Sequence, residues 1–515
     1  MRKELRAGDV AVAPLPGGGF GACQVSGITD EAVTVHALDW FSPEPPDLDD
    51  LRDAGPVPLA YRGLVDRLAQ ISVFRSNSPM PPDFDWIGNL PVPPGVPDHV
   101  NAYSGWASPF GDMARQRHWD ERVPAETKAA FRAARESESV TADLGAGPVT
   151  LPTSTSSLHL TSGTIPVPAT GPVDWTILDL LPRCAQVLWA GPDRGLTEAL
   201  TRHPLVTDLH WSDAPPVVDL RATEVRSLRV AGDSLREIRL PSAAHRLSLG
   251  AARERVTVRA ADDGRWLDLE LYQVTPSTRA PSGLTQVRSV SLTGDGVLSA
   301  ATLAGFAAAH TLELRWTAPP GRLDDPSLLL HVPSLQLVEM FEAYGVDADI
   351  TSSLPALRHL SIYGLRGSVA RELRARLRRT DVELSLRGAK TDSWLAANLD
   401  NPFRDWADDD TRAGAAACKA YATALRAIDK LAAAAPAAVA PASAADAAAA
   451  ADAVVSGAEA ILRELIDKLH AIDEKYEFID TIRREEAGDA FAELAARARV
   501  PSDLAADWFD EWRDF

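Results

Sequence analysis

The sequence predicts an α+β protein of several domains, with a small N-terminal β barrel-like domain, a central repeat solenoid and a C-terminal α-helical module. Three observations support this prediction. Apolar doublets recur at a nearly constant interval through the middle of the chain. Alternating apolar segments flank a glycine-rich turn near the start, and alanine-rich segments with helical periodicity follow residue 398. At 515 residues, the chain is also too long for one ordinary core.

The predicted solenoid is based on doublets of the form L-x-L that step forward by roughly 19 to 25 residues, the period of leucine-rich repeats. Each doublet would be one strand of a stacked sheet, with both apolar side chains in the core. The doublets are Leu209/Trp211, Leu228/Val230, Leu247/Leu249, Leu269/Leu271, Val290/Leu292, Leu312/Leu314, Leu335/Leu337, Leu360/Ile362 and Leu384/Leu386.

The convex side of this solenoid should change character midway. Between residues 206 and 271 a finer rhythm of about ten residues predicts two extended segments per repeat, whereas 299–309 and 369–379 have helical periodicity. Few repeats carry asparagine after the strand, where leucine-rich repeats normally have it. An open β-sheet flanked by helices, without regular repeats, is therefore the alternative architecture.

Side chains next to the apolar positions should point away from the core, because successive side chains alternate across a strand. They would line the concave face, the surface with which solenoids usually contact partners. The alternative is a solvated face stabilised by cross-strand pairs. We expect these residues to bind a partner: His210, Arg229, Arg239, Asp268, Glu270, Tyr272, Glu313, Arg315, Trp316 and Tyr363.

The two ends of the chain predict different folds. Segments 9–13, 20–25 and 32–40 alternate around the glycine-rich run 14–19, which indicates a hairpin and a third strand. The run lacks a lysine and precedes a strand, so it is read as a turn and not as a phosphate loop. A helix is expected over 124–138, after a proline.

The C-terminal part should contain helices over 411–431, 442–469 and 474–499, the first two forming a hairpin. Its Ala/Pro-rich segment 432–453 is either helical or a disordered linker. The aromatic, acidic tail 508–515 either docks on the helices or acts as a recognition segment. The expected domains are 1–110 (β-rich), 111–150 (connecting helix and linker), 151–397 (solenoid) and 398–515 (helical hairpin or bundle with the tail).

Composition excludes several classes of function. A formal charge of −20 disfavours nucleic-acid binding. We expect a cytoplasmic protein because no signal peptide or apolar span is visible and the three cysteines form no paired framework. No catalytic, metal-binding or cofactor motif occurs, so we expect no enzyme and no cofactor. His470, Asp473, Glu485, Glu486 and Asp489 could bind a metal if they faced one another, but a solvated helix face explains them better.

Two segments resemble known families. The segment Gly8-Asp-Val-Ala-Val-Ala-Pro-Leu-Pro-Gly-Gly-Gly-Phe-Gly-Ala-Cys-Gln-Val25 resembles the opening of small barrel-like immunity proteins of bacterial polymorphic toxin systems. The blocks WLAANLDNPFRDW (394–406) and YEFIDTIRREEAGDAF (476–491) resemble the C-terminal part of actinobacterial leucine-rich-repeat proteins often labelled gliding-motility proteins. Neither resemblance supplies catalytic residues.

These observations predict a bacterial, non-enzymatic protein that binds a protein partner through the concave face of a leucine-rich-repeat solenoid. The N-terminal resemblance implies an alternative, an immunity or defence-associated protein that binds and neutralises a toxin. A second alternative is an enzyme with a site between the solenoid and the helical module.

Overall fold

The computed structural model describes residues 5–61, 67–75, 80–250, 255–434 and 444–515, with the side chains of 444–451 outside the description. The chain divides into two compact units. One consists of Met1–Leu365 and Val369–Arg387, and the other of Arg366–Ser368 and Gly388–Phe515. Part of the segment 432–453, for which the sequence allowed helix or disorder, lies outside the described residues.

The first unit begins with short strands separated by turns. In chain order they are β1 (Asp9–Pro14), β2 (Phe20–Ile28), β3 (Ala32–Ala37), β4 (Pro58–Leu59), β5 (Arg67–Leu68), β6 (Gln70–Phe74) and β7 (Asp85–Asn89). Among the described residues, five of these strands form one antiparallel sheet, in the order β6–β3–β2–β1–β7, which we call the N-terminal sheet. The predicted hairpin and third strand are confirmed, while closure into a barrel stays a prediction.

Glycine fixes two details of this sheet. Gly17, Gly18 and Gly19 all have positive φ, so the glycine-rich run is the predicted turn between β1 and β2. Gly27 lies where the β2–β3 register shifts, and a Cβ atom there would be 1.9 Å from the carbonyl oxygen of Asp98. Only a residue without a side chain fits this close approach.

Two helices and a hairpin follow: α1 (Ser108–Glu121), α2 (Ala125–Ala133), β8 (Ser139–Asp143) and β9 (Pro148–Pro152). The helix α2 confirms the connecting helix, although it is shorter than predicted. The helix α1 was not predicted, and most of the β8–β9 hairpin lies in the region 111–150, predicted as a connecting helix and linker. Both α1 and α2 contact the repeats: His118 lies 2.9 Å from the carbonyl oxygen of Pro204, and Arg183 donates to that of Phe131 at 3.0 Å.

The repeats follow these elements. Their elements are β10 (Ser157–His159), α3 (Ile177–Leu180), β11 (Gln186–Ala190), α4 (Leu196–Arg202), β12 (Asp208–Ser212), β13 (Val217–Asp219), β14 (Ser227–Val230), β15 (Glu237–Arg239), β16 (Arg246–Leu249), β17 (Thr257–Arg259), β18 (Asp268–Val274), β19 (Ser289–Ser299), β20 (Thr311–Asp324), β21 (Leu337–Phe341), β22 (His359–Arg366), α5 (Gly367–Leu377) and β23 (Glu383–Lys390).

Among the described strands, eleven form one sheet in the order β10–β11–β12–β14–β16–β18–β19–β20–β21–β22–β23, which we call the repeat sheet. The pairings from β10 to β22 are parallel. The predicted doublets point into the core: Leu209, Leu228 and Leu269 are at most 2% exposed. One doublet is wrong. In β21 the inward pair is Val338/Met340 and not Leu335/Leu337, because Leu335 precedes the strand and Leu337 has the opposite parity.

The opposite side of the repeats changes character as predicted. The strands β13, β15 and β17 form a second parallel sheet, so the early repeats have two extended segments each. From residue 300 onward this side consists of 3₁₀ turns at Ala300–Gly305, Pro326–His331 and Ala348–Ser353, and then of α5. The helical pattern over 299–309 therefore forms a 3₁₀ turn and no α-helix.

The second unit is helical, with α6 (Asp392–Asn398), α7 (Trp406–Asp409), α8 (Thr411–Ala434), α9 (Ala444–Tyr476), α10 (Thr481–Arg497) and α11 (Ser502–Trp512). Its core contains Phe403, Tyr421 and Phe491. The tail docks, since Trp508 and Phe509 of α11 are buried in this core. In the described parts of the chain, no helix is both long enough and apolar enough for a membrane crossing.

Candidate interaction surface

One face of the repeat sheet packs on the core through the buried doublets. The other face bears the side chains that alternate with them, and we call it the open face. These side chains form rows across the sheet, because equivalent residues of neighbouring parallel strands are paired. One row is His210, Arg229, Ser248, Glu270, Ser291, Glu313, Glu339 and Ser361. The next row includes Tyr272, Thr293, Arg315, Phe341 and Tyr363.

A polar and aromatic network covers the strands β14, β16 and β18. The Arg229 guanidinium lies 3.9 Å from the centre of the Tyr272 ring, and its Nη1 is 3.8 Å from Oε2 of Glu270. The Ser248 hydroxyl donates to the same Oε2 at 2.5 Å. These contacts fix an arginine, an aromatic ring and a carboxylate on neighbouring strands.

Glycine 250 explains how Tyr272 reaches across a strand. A Cβ atom at Gly250 would lie 2.7 Å from the hydroxyl oxygen of Tyr272, so the tyrosine ring passes directly over Gly250, the residue that follows β16. Burial raises the pKa of Tyr272, and the positive charge of Arg229 opposes that rise. The ring is half-buried, and its contacts with Arg229 and Gly250 fix its position.

A second arginine–aromatic pair lies on β20 and β21. The Arg315 guanidinium is 3.9 Å from the centre of the Phe341 ring, and its Nη2 is 3.1 Å from Oε1 of Glu313. Glu339 stands beside Glu313 on the next strand. Burial raises the pKa of Glu339, the Glu313 carboxylate raises it further, and Arg315 lowers it.

Three other predicted residues also lie on the open face. His210 is half-buried, and burial lowers its pKa, with Arg229 adding to the effect. Asp268 is the exposed first residue of β18, and Tyr363 is half-buried on β22. The structure thus brings His210, Arg229, Asp268, Glu270, Tyr272, Glu313, Arg315 and Tyr363 onto one face.

Two predicted residues are elsewhere, and both assignments are wrong. Arg239 belongs to β15 of the second sheet, where it donates to Glu237 at 3.0 Å and to Asp219 at 3.2 Å, because each early repeat contains two strands. Trp316 has the parity of Leu312 and Leu314, so its side chain points into the core and is 1% exposed. Its indole Nε1 donates to the carbonyl oxygen of Arg322 at 3.1 Å.

Sequence reasoning missed Glu339 and Phe341. The mistaken doublet Leu335/Leu337 shifted the register of this strand and placed both residues outside it. The pair Val338/Met340 is the signal that could have found them, since it has the doublet spacing and continues directly into an aromatic residue.

Two of the carboxylates considered as metal ligands, and the histidine, have structural partners. The Asp473 carboxylate accepts from the backbone nitrogens of Phe478 and Ile479, at 2.9 and 2.7 Å. The Glu486 carboxylate accepts from the indole of Trp406 at 2.5 Å, and His470 accepts from the backbone nitrogen of Asp514. No group of three or more metal-binding side chains occurs among the residues that the structure describes.

The three cysteines are buried, and their thiols stay protonated. Burial raises the pKa of Cys23 and of Cys184 to about 12, and that of Cys418 to about 11. Because the thiolate is the reactive form, these side chains act as small apolar residues.

Comparisons with known proteins add little. No protein-family model matches the chain, and no curated protein matches it. Among solved structures, the chain is similar to an internalin (inlF) from Listeria monocytogenes, at 16% identity, over 44% of this chain and 68% of that chain, with a TM-score of 0.23. This TM-score is too low for the likeness to carry an argument. It bears on neither resemblance noted in the sequence, and both stay predictions.

Proposed function

We propose that the chain is a non-enzymatic, cytoplasmic protein whose repeats form a leucine-rich-repeat solenoid that binds a protein partner on its open face, the concave side. The observation that carries the proposal is the pair of arginine–aromatic contacts, Arg229 on Tyr272 and Arg315 on Phe341. Arginine and aromatic side chains are the usual anchors of protein interfaces.

The geometry around these anchors supports binding. Ser291 on β19 lies between the two anchor pairs, and Ser248 and Ser361 belong to the same row, so a partner meets small side chains beside larger ones. Arg229 and Arg315 remain 43% and 45% exposed although each lies on a ring. Their positions are already fixed by carboxylate and aromatic contacts, which reduces the side-chain entropy lost on association, about 0.5–1.5 kcal/mol per immobilised side chain.

A comparison of three baits tests the proposal: the wild type, an open-face variant Tyr272→Ala/Arg315→Ala/Phe341→Ala, and a control Arg221→Ala/Arg259→Ala. Arg221 and Arg259 are exposed and lie beyond the repeat sheet, Arg259 in β17 and Arg221 just after β13. We expect the wild type and the control to capture the same partners, and the open-face variant to lose them.

Equal recovery by all three baits would contradict the proposal. Thermal unfolding of each variant checks that it folds. A charge reversal, Arg315→Glu, serves as a milder open-face variant because it keeps the Tyr272 and Phe341 rings in place. A photo-crosslinking residue at Ser291, in the centre of the open face, should label the partner, whereas one at Thr257 in the second sheet should not.

A further inference from the structure

A cavity of about 230 Å³ lies within the first unit, between the N-terminal sheet with α1 and the beginnings of the strands β18, β19 and β20. Its volume is below the roughly 300 Å³ at which sites for drug-sized ligands begin, so a ligand would have to be small. Asp268, Ser289 and Thr311 belong both to the open face and to the cavity lining, whereas the arginine and aromatic side chains of the open face do not line the cavity. The cavity is therefore a separate candidate for binding.

The two walls of the cavity differ in chemistry. The wall from the N-terminal part is apolar, formed chiefly by Leu15, Phe84 and Phe110, with one carboxylate, Asp83. The wall from the repeats is polar and carries His245, Arg265, Asp268, Arg288 and His310. A small ligand would meet hydrocarbon on one side and charged groups on the other.

Much of the polar wall consists of residues that immediately precede a strand of the repeat sheet. His245, Arg288 and His310 each occupy it, before β16, β19 and β20. The Nδ1 atom of His245 and the Nε2 atom of His310 are shielded from solvent, and neither has a hydrogen-bond partner among the described residues. A buried polar atom in this state costs about 1–3 kcal/mol, which a hydrogen-bonding ligand would recover.

Asp83 and Arg288 bring opposite charges to this cavity. Both are half-buried, and neither makes a side-chain ion pair or hydrogen bond in the part of the chain that the structure describes. Both lie near His310: burial lowers the pKa of this histidine, Asp83 raises it and Arg288 lowers it. A carboxylate and a guanidinium therefore face the same small volume.

The charges that line the cavity balance. With both aspartates ionised and both histidines neutral, Arg265 and Arg288 contribute +2 and Asp83 and Asp268 contribute −2, so the sum is zero. A simple anion or cation would leave one of the facing charges without a partner, which is costly in a partly buried site. A ligand with both an ammonium and a carboxylate group satisfies both.

We propose that this cavity binds a free α-amino acid with an apolar side chain. Its carboxylate contacts Arg288 and His310, its ammonium contacts Asp83, and its side chain packs against Leu15, Phe84 and Phe110. Peptide termini share part of this chemistry, since each carries one of the two charged groups.

Calorimetric titration of the full chain with L-leucine and two analogues tests the assignment. Isocaproate lacks the ammonium group and isoamylamine lacks the carboxylate. We expect leucine to bind and each analogue to bind at least about tenfold more weakly, because each leaves one charge of the cavity unpaired. Leucinamide and N-acetylleucine, which imitate peptide termini, should show the same loss.

Two variants test which residues bind the ammonium and the carboxylate group of leucine. Asp83→Asn should weaken leucine binding at least about tenfold without affecting isocaproate, and Arg288→Gln should weaken leucine binding without affecting isoamylamine. The matched control is Arg259→Gln, in β17 outside the cavity, which should bind leucine like the wild type. If Arg288→Gln fails to fold in a thermal unfolding assay, Arg288→Lys replaces it, with the same expected direction.

Three results would overturn the proposal: no binding of leucine at millimolar concentration, binding unchanged by both variants, or leucinamide or N-acetylleucine binding as tightly as leucine. The last result would assign the cavity to a peptide terminus. None of these outcomes depends on the open face, so the two proposals fail separately.

Discussion

His36, at the residue scale, is a buried base without a partner. It is the last residue but one of β3 and has 0% exposure, and neither ring nitrogen has a hydrogen-bond partner in the described residues. Burial lowers its pKa from the usual 6.5 to about 4. Between these two values the unfolded chain takes up a proton that the folded chain does not bind, so the neutral ring favours the folded state only above this range.

We therefore predict that the free energy of unfolding falls by about 3 kcal/mol through His36 as the pH drops from 6.5 to 4. Urea denaturation followed by tryptophan fluorescence across this range should give a shallower pH dependence for His36→Leu than for the wild type. Because His245 also has a pKa lowered to about 4, the difference between the two proteins is the relevant quantity. A substitution of the exposed His331 by leucine is the control and should keep the pH dependence of the wild type. Equal slopes of the unfolding free energy against pH for the wild type and His36→Leu would contradict the prediction.

Much of the open face could be predicted from the alternation of side chains along each strand. Alternation along a strand places Arg229, Glu270 and Glu313 correctly from the doublets alone. The same rule places Trp316, two residues after Leu314, in the core, which contradicts the prediction that Trp316 lines the open face. No local pattern could show that Gly250 admits the Tyr272 ring, because the two residues belong to neighbouring repeats and are more than twenty positions apart.

At the element scale, Gly414 shows how closely two helices approach. This residue is buried in α8, and a Cβ atom there would lie 2.2 Å from the backbone nitrogen of Ala407 in α7. Gly457 in α9 differs, because its Cβ atom would meet a terminal methyl carbon of Leu431 at 2.9 Å. A side-chain end can rotate away, whereas a backbone atom can move only with its helix.

Alanine normally stabilises a helix by about 1 kcal/mol relative to glycine. We predict the opposite for Gly414→Ala, a loss of about 1–3 kcal/mol from overpacking. Gly457→Ala, the matched control, should be neutral or gain up to about 1 kcal/mol. Urea unfolding monitored by far-UV circular dichroism measures both, and a Gly414→Ala variant as stable as Gly457→Ala would refute this account of the contact.

Tertiary contacts also explain why α1 escaped sequence reasoning. Its buried face includes Phe110, Met113 and Trp119, but also Gln116 and His118. Gln116 accepts from the backbone nitrogens of Ala60 and Tyr61, at 2.6 and 3.0 Å. These polar residues are buried because they bind groups that are distant in sequence, and they interrupt the apolar periodicity of α1. The helix α2 and the C-terminal helices keep a periodicity from which they could be predicted.

At the scale of the whole molecule, the second unit has a core of its own. The buried residues from Phe403 to Phe509 form one cluster that contains only side chains of this unit. The indole of Trp406 donates to Glu486, which joins α7 to α10, and Lys390 pairs with Asp408 where both are largely buried. Packing of this kind gives a domain the means to fold alone.

We predict that a fragment of residues 388–515 folds independently, with a helical circular dichroism spectrum and a cooperative thermal transition. A variant Phe491→Ala should lower the melting temperature of the fragment and of the corresponding transition in the full chain, since removing a buried phenylalanine costs about 3–5 kcal/mol. Ile482→Ala, at a position that is 67% exposed on the same helix, should leave both unchanged. A fragment that lacks helical structure would show that the core needs the first unit for its stability.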